Sequence, residues 1–296
     1  MQFIFNLLVA LFLSIHVQSQ NINFYKKTIH VLCNYEMEGR GLDSKGINLT
    51  QQFIVTEYEN FGLKKYNANS YNQEFDCIDS TGKKHSSKNL IGVIDNHADS
   101  TIVFCAHYDH LDVCSNLSRE LLSKMKCKIH VGADDNASGI SLLLGLAKHY
   151  QKSKSQKYNY MFVALSAHEI GLYGSYYLFE SDYFKTLKIK AFLNFDMVGR
   201  LNNRSKELTV GVSETEKHLN GLLEISNDST KILLYKNNTQ LLQSDATVFY
   251  KHNIPTLSFS TGITEDYHKT TDTEEKINYK GIKLIQNFIL EFINHI

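Results

Sequence analysis

The chain has 296 residues, 43% hydrophobic and 21% charged, with 31 basic and 31 acidic side chains. This is ordinary globular composition, with length for one large α/β domain or two small ones. Zero net charge and the lack of any long single-sign run exclude the electrostatic footprint of a nucleic-acid or anionic-membrane partner.

Phe3 to Val17 is apolar almost throughout. At about 15 residues it is short for a membrane span. Val17-Gln18-Ser19 matches a small-x-small cleavage site, so residues 1–19 read as a signal peptide and 20–296 as the mature chain. The first residues carry no Lys or Arg, and the alternative is an uncleaved anchor, which the shortness of the run disfavours. No later segment is apolar enough to cross a bilayer. The expectation is a secreted or periplasmic protein with no membrane contact after cleavage. Five cysteines, Cys33, Cys77, Cys105, Cys114 and Cys127, leave at least one unpaired. Cys105 lies in an apolar run and reads as a buried thiol. Cys114 and Cys127 flank one polar loop and could pair in an oxidising compartment.

Residues 22–36 predict a helix, followed by the turn-rich MEGRGLDSKG. A second helix opens at Asn48 to Gln51 and ends near Phe61, closed by Gly62. Residues 71–77 and 89–94 predict strands joined by a hairpin turn at STGKK. Four short apolar runs follow: Thr101–Ala106, Tyr158–Ser166, Ile189–Phe195 and Ile254–Ser260. Runs of this length between helical stretches read as strands buried on both faces. A helix from Asn136 to His149 puts Ile140, Leu143, Leu144 and Ala147 on one face. Another helix follows Gly171, and an amphipathic one closes the chain over Lys280–Ile296. No repeat or linker interrupts residues 20–296.

Polar residues of metal-ligand type stand where these runs end: His107, His168-Glu169, Asp196 and, in the loop after the last run, His268. Asp134 and Asp135 stand just before the helix at 136. Sites in parallel sheets form beyond the carboxyl ends of the strands. Two histidines and three carboxylates suit a pair of divalent ions, one carboxylate bridging and each ion taking one His and one further carboxylate. Such a pair makes a nucleophile from water at neutral pH and polarises a carbonyl. Each motif is weak alone. His107-Tyr108-Asp109-His110 is a His-x-Asp pair in which Asp109 would hold the second ring nitrogen of His107, with His110 outside the ligand set. Gly132 to Gly139 also reads as a polar helix cap, and its Asn136-Ala137-Ser138 glycosylation match reads as accidental. His168-Glu169 is not the HExxH of zincins, because Leu172 stands where the second His would be. The specific signal is the conjunction of HYDH, GADDNASG, AHEIGLYGS, NFDMVG and YHKTTDT in one chain.

Together with MEGRG and the NLIGVI strand, these motifs make the chain resemble the M28 family of zinc-dependent aminopeptidases and related exopeptidases, over nearly all of its mature length. The resemblance implies one α/β domain with a central mixed, mostly parallel sheet flanked by helices, and two co-catalytic zinc ions or another divalent metal. It implies Asp134 as the bridging ligand, His107 and Asp196 on one ion, and Glu169 and His268 on the other, with Asp135 following across a bond that is often cis. It also implies peptide substrates with a free N-terminus. One departure stands out. The family's general base is a Glu immediately before the ligand Glu, and here it is His168. A neutral imidazole can take a proton, but two nearby dications weaken it as a base. His168 could also bind metal itself. Three readings remain open: an aminopeptidase using His168 as base, a catalytically impaired binding or structural member, and a glutaminyl cyclase.

Overall fold

The apolar runs form the middle of one open sheet. The computed structural model describes residues 22–296 apart from 68, 112, 114–116, 120–127, 154–156, 213–216, 228 and 239–242. In chain order the strands are β1 (Lys64–Lys65), β2 (Asn72–Ile78), β3 (Lys84–Ile94), β4 (Thr101–His107), β5 (Asn159–Leu165), β6 (Ile189–Phe195), β7 (Glu207–Val212), β8 (Leu233–Lys236) and β9 (Thr256–Ser260). Across the sheet they run β1-β3-β5-β4-β6-β9-β7-β8, with β2 paired to β3. The central four, β5, β4, β6 and β9, are parallel. Antiparallel β3 and β7 flank them. The sheet is therefore mixed, as expected, and the parallel part carries the site.

Alternation along β4 shows why both faces are covered. Ile102, Phe104 and Ala106 point into a core shared with the helices α1 (22–32), α2 (Lys45–Asn60), α3 (Gly139–Lys152), α6 (Lys217–Ser226) and α8 (Tyr279–His295). Val103 and Cys105 point to the other face, against α4 (Tyr173–Glu180), α5 (Asp182–Lys185) and α7 (Ala246–Tyr250). Ile140, Leu143, Leu144 and Ala147 are all fully buried, as their spacing predicts. Phe104 is ringed by Tyr150, Tyr160, Phe162 and Phe195. Truncating such a side chain to alanine costs roughly 3–5 kcal/mol.

Several boundaries differ from the sequence expectations. The described part of α1 stops at residue 32, and Tyr35–Arg40 is a separate 3-10 turn in which Glu38 and Gly39 are left-handed. Gly39 has φ +72°, and a Cβ there would lie 2.6 Å from the Leu111 carbonyl oxygen. Helix α2 begins at Lys45, earlier than Asn48, because the Ser44 hydroxyl accepts from the Ile47 amide. Helix α3 begins at Gly139 because Asp135 and Asn136 take non-helical angles. Strands β1, β7 and β8 lie outside the central four and escaped prediction. Cys105 is a buried free thiol, as expected. The signal segment 1–19 and the pairing of Cys114 with Cys127 lie outside the described residues. Among those residues no helix is long and apolar enough to cross a membrane.

Candidate metal centre

The carboxyl ends of the parallel strands bring the predicted residues together. His107 is the last residue of β4, Glu169 follows β5, Asp196 follows β6 and His268 lies in the loop after β9. Two adjacent residues after β5 can face one site because the chain stops being extended there. Ala167 takes φ +57°, so the irregularity sits at Ala167 and does not depend on Gly171 alone. The Asp109 carboxylate holds this turn, accepting from the amides of His168 and Glu169 at 3.2 Å each. Asp109 orients His107 through its backbone carbonyl, 3.1 Å from Nδ1, and its carboxylate is 3.9 Å away. The expected partner is therefore right, but the carboxylate serves the neighbouring turn.

Two clusters result. In the first, ligand atoms of His107, His168 and Asp196 lie within 4.8 Å of one another; in the second, those of His110, Asp135 and Glu169 do. Asp135 joins the halves. Its Oδ1 is 3.4 Å from His107 Nε2, and its Oδ2 is 3.4 Å from His268 Nε2 and 3.7 Å from His110 Nδ1. Asp196 Oδ1 lies 3.6 Å from His107 Nε2, and Glu169 Oε2 lies 3.2 Å from His268 Nε2. The side chain that faces the cluster is Asp135, where the sequence expectation had Asp134. Asp134 is turned away, its Oδ1 accepting from the Gly199 amide at 2.8 Å and the Ser138 hydroxyl at 3.3 Å. The cis bond is Asp135–Asn136, one residue later than expected. His110 was set outside the ligand set, yet its Nδ1 is 2.9 Å from Glu169 Oε1, within the second cluster.

The sequence profile of peptidase family M28 matches residues 89–293, most of the chain. The chain belongs to peptidase family M28. No curated protein sequence matches it. Among solved structures it is similar to the Legionella pneumophila LapA aminopeptidase, at 19% identity and TM-score 0.72, over 93% of this chain and 71% of that one. It is similar to Bacteroides thetaiotaomicron glutaminyl cyclase bound to N-acetylhistamine, at 18% identity and TM-score 0.73, over 93% and 97%. A Zn-dependent exopeptidase from Parabacteroides distasonis gives 17% identity and TM-score 0.73, over 93% and 97%. At these identities the likeness is one of fold.

The M28 residues fit divalent cations on the chemistry of their atoms. His107 Nε2, His268 Nε2 and Asp135 Oδ2 are buried and have no hydrogen-bond partner. Orphaned buried polar atoms are rare, and here they converge. Three carboxylates, Asp135, Glu169 and Asp196, face the same space. Without a metal, imidazolium groups balance them. Burial and His168 push His107 down, but Asp196 and Asp135 outweigh both and raise it to about 9. Burial is likewise overcome at His268, where Asp135 and Glu169 raise it to about 10. His168 is held well above its ordinary value against burial, chiefly by Asp245. Against its own burial, Glu169 is held well below the usual carboxylate range by His110 and His268. Asp134 moves the other way: burial and Asp272 raise it well above that range.

Three functional residues were missed. The fully buried Arg40 donates to the carbonyls of Tyr108, Leu32, Val131 and Gly132, tying the His107 strand end to the loop that carries Asp135. Gly132 allows that approach: it has φ +52°, and a Cβ would meet the Asp135 carbonyl and the His110 ring. Asp272 accepts from the amides of Asp134 and Asp135 and pairs with Arg200 at 3.2 Å. Both lay inside motifs noticed in sequence, MEGRG and YHKTTDT, and a charged residue in a turn-rich motif was the signal. Asp245 pairs with His168 Nδ1 at 2.8 Å and accepts from the Ser175 hydroxyl. No local pattern pointed to it.

Proposed function

We propose that this chain is a two-metal peptide hydrolase, zinc-loaded, that removes N-terminal residues from peptides outside the cytoplasm. The observation that carries the reading is Asp135, whose two oxygens address two separate half-sites. His107 and Asp196 would complete one half, and Glu169 and His268 the other. Ions bound there would lower the pKa of water and polarise a substrate carbonyl. The remaining residues hold the donors in place. His110 Nδ1 donates to Glu169, and Leu117 accepts from His268 Nδ1 at 3.1 Å. A neighbouring carbonyl or carboxylate fixes the tautomer, so that the other ring nitrogen keeps its lone pair. The group beside Glu169 is an imidazole, so no carboxylate at position 168 serves as proton acceptor.

Family membership supports peptide substrates, and the aminopeptidases among similar folds support a free N-terminus. The apolar segment at residues 3–17 supports export. The decisive assay uses metal-depleted and zinc-reloaded protein on a panel of aminoacyl and dipeptide substrates, with an N-terminal glutamine peptide included. Release of free amino acids that disappears on chelation and returns with zinc is expected. Ammonia release from the glutamine peptide without chain shortening would instead make it a cyclase. A fully loaded protein with no turnover at all would leave the binding-module reading.

A further inference from the structure

The residue that departs from the family pattern also has its own buried support. His168 stacks on His107, with ring centroids 3.8 Å apart and planes 6° apart. Its Nδ1 lies 2.8 Å from Asp245 Oδ2, and Asp245 is 1% exposed. The Ser175 hydroxyl, from the first turn of α4, donates to the other oxygen of Asp245. With Nδ1 occupied by a carboxylate, the nitrogen left with a lone pair is Nε2. This is the carboxylate–histidine arrangement that orients metal-binding imidazoles and raises their basicity.

We infer that His168 is itself a metal ligand, which rests on the two-metal reading above. The His107 half would then hold two imidazoles and two carboxylates, His107, His168, Asp135 and Asp196, a complete tetrahedral set for zinc. The ligand atoms of His107, His168 and Asp196 already lie within 4.8 Å of one another. The other half has Asp135, Glu169 and His268, with His110 Nδ1 on the Glu169 carboxylate. A cavity of about 340 Å³ adjoins Glu169. Asp109 and His110 also line it, and neither Asp135, His268 nor the His107 half does. A closed site is the structural type of zinc site, and an open one the catalytic type. With His168 bound, the His107 half would have four protein ligands and the other half three.

The test compares wild type with His168→Asn and Asp245→Asn. Asn at 168 keeps an N–H donor for Asp245 and removes Nε2. Asp245→Asn removes the charge behind the ring and is the second route should His168→Asn fold poorly. Metal binding is followed by calorimetric titration with zinc, and by the ligand-field absorption of the cobalt(II)-loaded protein. Wild type should take two equivalents. Asp245→Asn should weaken one equivalent by about 10–100-fold. His168→Asn should weaken the same equivalent at least as much, shift its cobalt spectrum and leave the affinity of the other equivalent unchanged. If both equivalents bind His168→Asn with wild-type affinity and spectrum, the proposal is wrong, and a selective loss of kcat would make His168 a proton acceptor. A wild type that takes a single equivalent removes the two-metal reading. The proposal then stands or falls on whether His168→Asn weakens that equivalent.

Discussion

The two halves of the metal centre differ in what stands behind them. The His107 half is built where β4 and β6 end, with His107 inside the last residue of its strand and Asp196 bonded through its amide to the Phe259 carbonyl. The Glu169–His268 half is built from loops. His268 sits at φ +57° between β9 and α8, and a carbonyl that fixes its ring belongs to Leu117, in another loop. Strand-end ligands inherit the rigidity of a fully buried sheet, whereas loop ligands rely on a few hydrogen bonds. The lesson is that one residue, Asp135, stands between a cluster at strand ends and one held by loops.

The strongest way to break this comparison is to remove the coupling. Asp135→Ala should lose both equivalents of metal and at least about 10³-fold in kcat, since the Lewis-acid contribution goes with the ions. Elemental analysis after saturation checks it, and retention of two equivalents would show that the halves do not share Asp135. Next comes the frame. Arg40→Met removes the guanidinium donors to the carbonyls of Leu32, Tyr108, Val131 and Gly132, the last of which keeps the Ala137 amide. Orphaning several buried carbonyls should cost about 3 kcal/mol or more, read as a lowered thermal midpoint, with metal affinity falling in both halves.

A single-half variant sharpens the contrast. His268→Ala should release one equivalent and leave the other in the sheet-borne half, with little change in the midpoint of the metal-free protein. Titration calorimetry reads both. An equal loss from the two halves would abolish the distinction drawn here.

pH gives a smaller and signed effect. In the metal-free protein the carboxylates raise His107 to about 9 and His268 to about 10. Their contribution to stability is therefore fully present below about 6.5, the unfolded value, and is lost as pH rises through about 9 and then about 10. Thermal midpoints of the metal-free protein should fall across that window, while those of the loaded protein should not. Loading should release protons, and release should shrink toward high pH. Calorimetry in buffers of different ionisation enthalpy measures this. The smallest effect is expected at the neighbour of the bridge. Asp134→Asn keeps an acceptor for the Gly199 and Ser138 donors and should retain both metals, with a stability loss of about 1 kcal/mol or less. Loss of both metals in that variant would return the bridging role to Asp134.

By itself the sequence determined the class of the molecule and the kind of site it carries. Four apolar runs of strand length became β4, β5, β6 and β9, because a strand buried on both faces has to be apolar throughout. The residues that end them are ligand types at the one edge where a parallel sheet builds sites. His107, Glu169, Asp196 and His268 therefore meet as expected. Only the tertiary structure decided which of Asp134 and Asp135 faces that site. The two share chemistry and position, and the choice rests on the Gly199 amide that captures Asp134 and the Asp272 carboxylate that anchors both backbone amides. Asp245 was equally hidden, since it lies 77 residues from His168 in sequence and meets it only because the turn before α7 packs beside the end of β5. Local pattern reports which side chains a turn can offer. Which of them is aimed at the site depends on hydrogen bonds from distant segments, and those exist only once the sheet has brought the segments together.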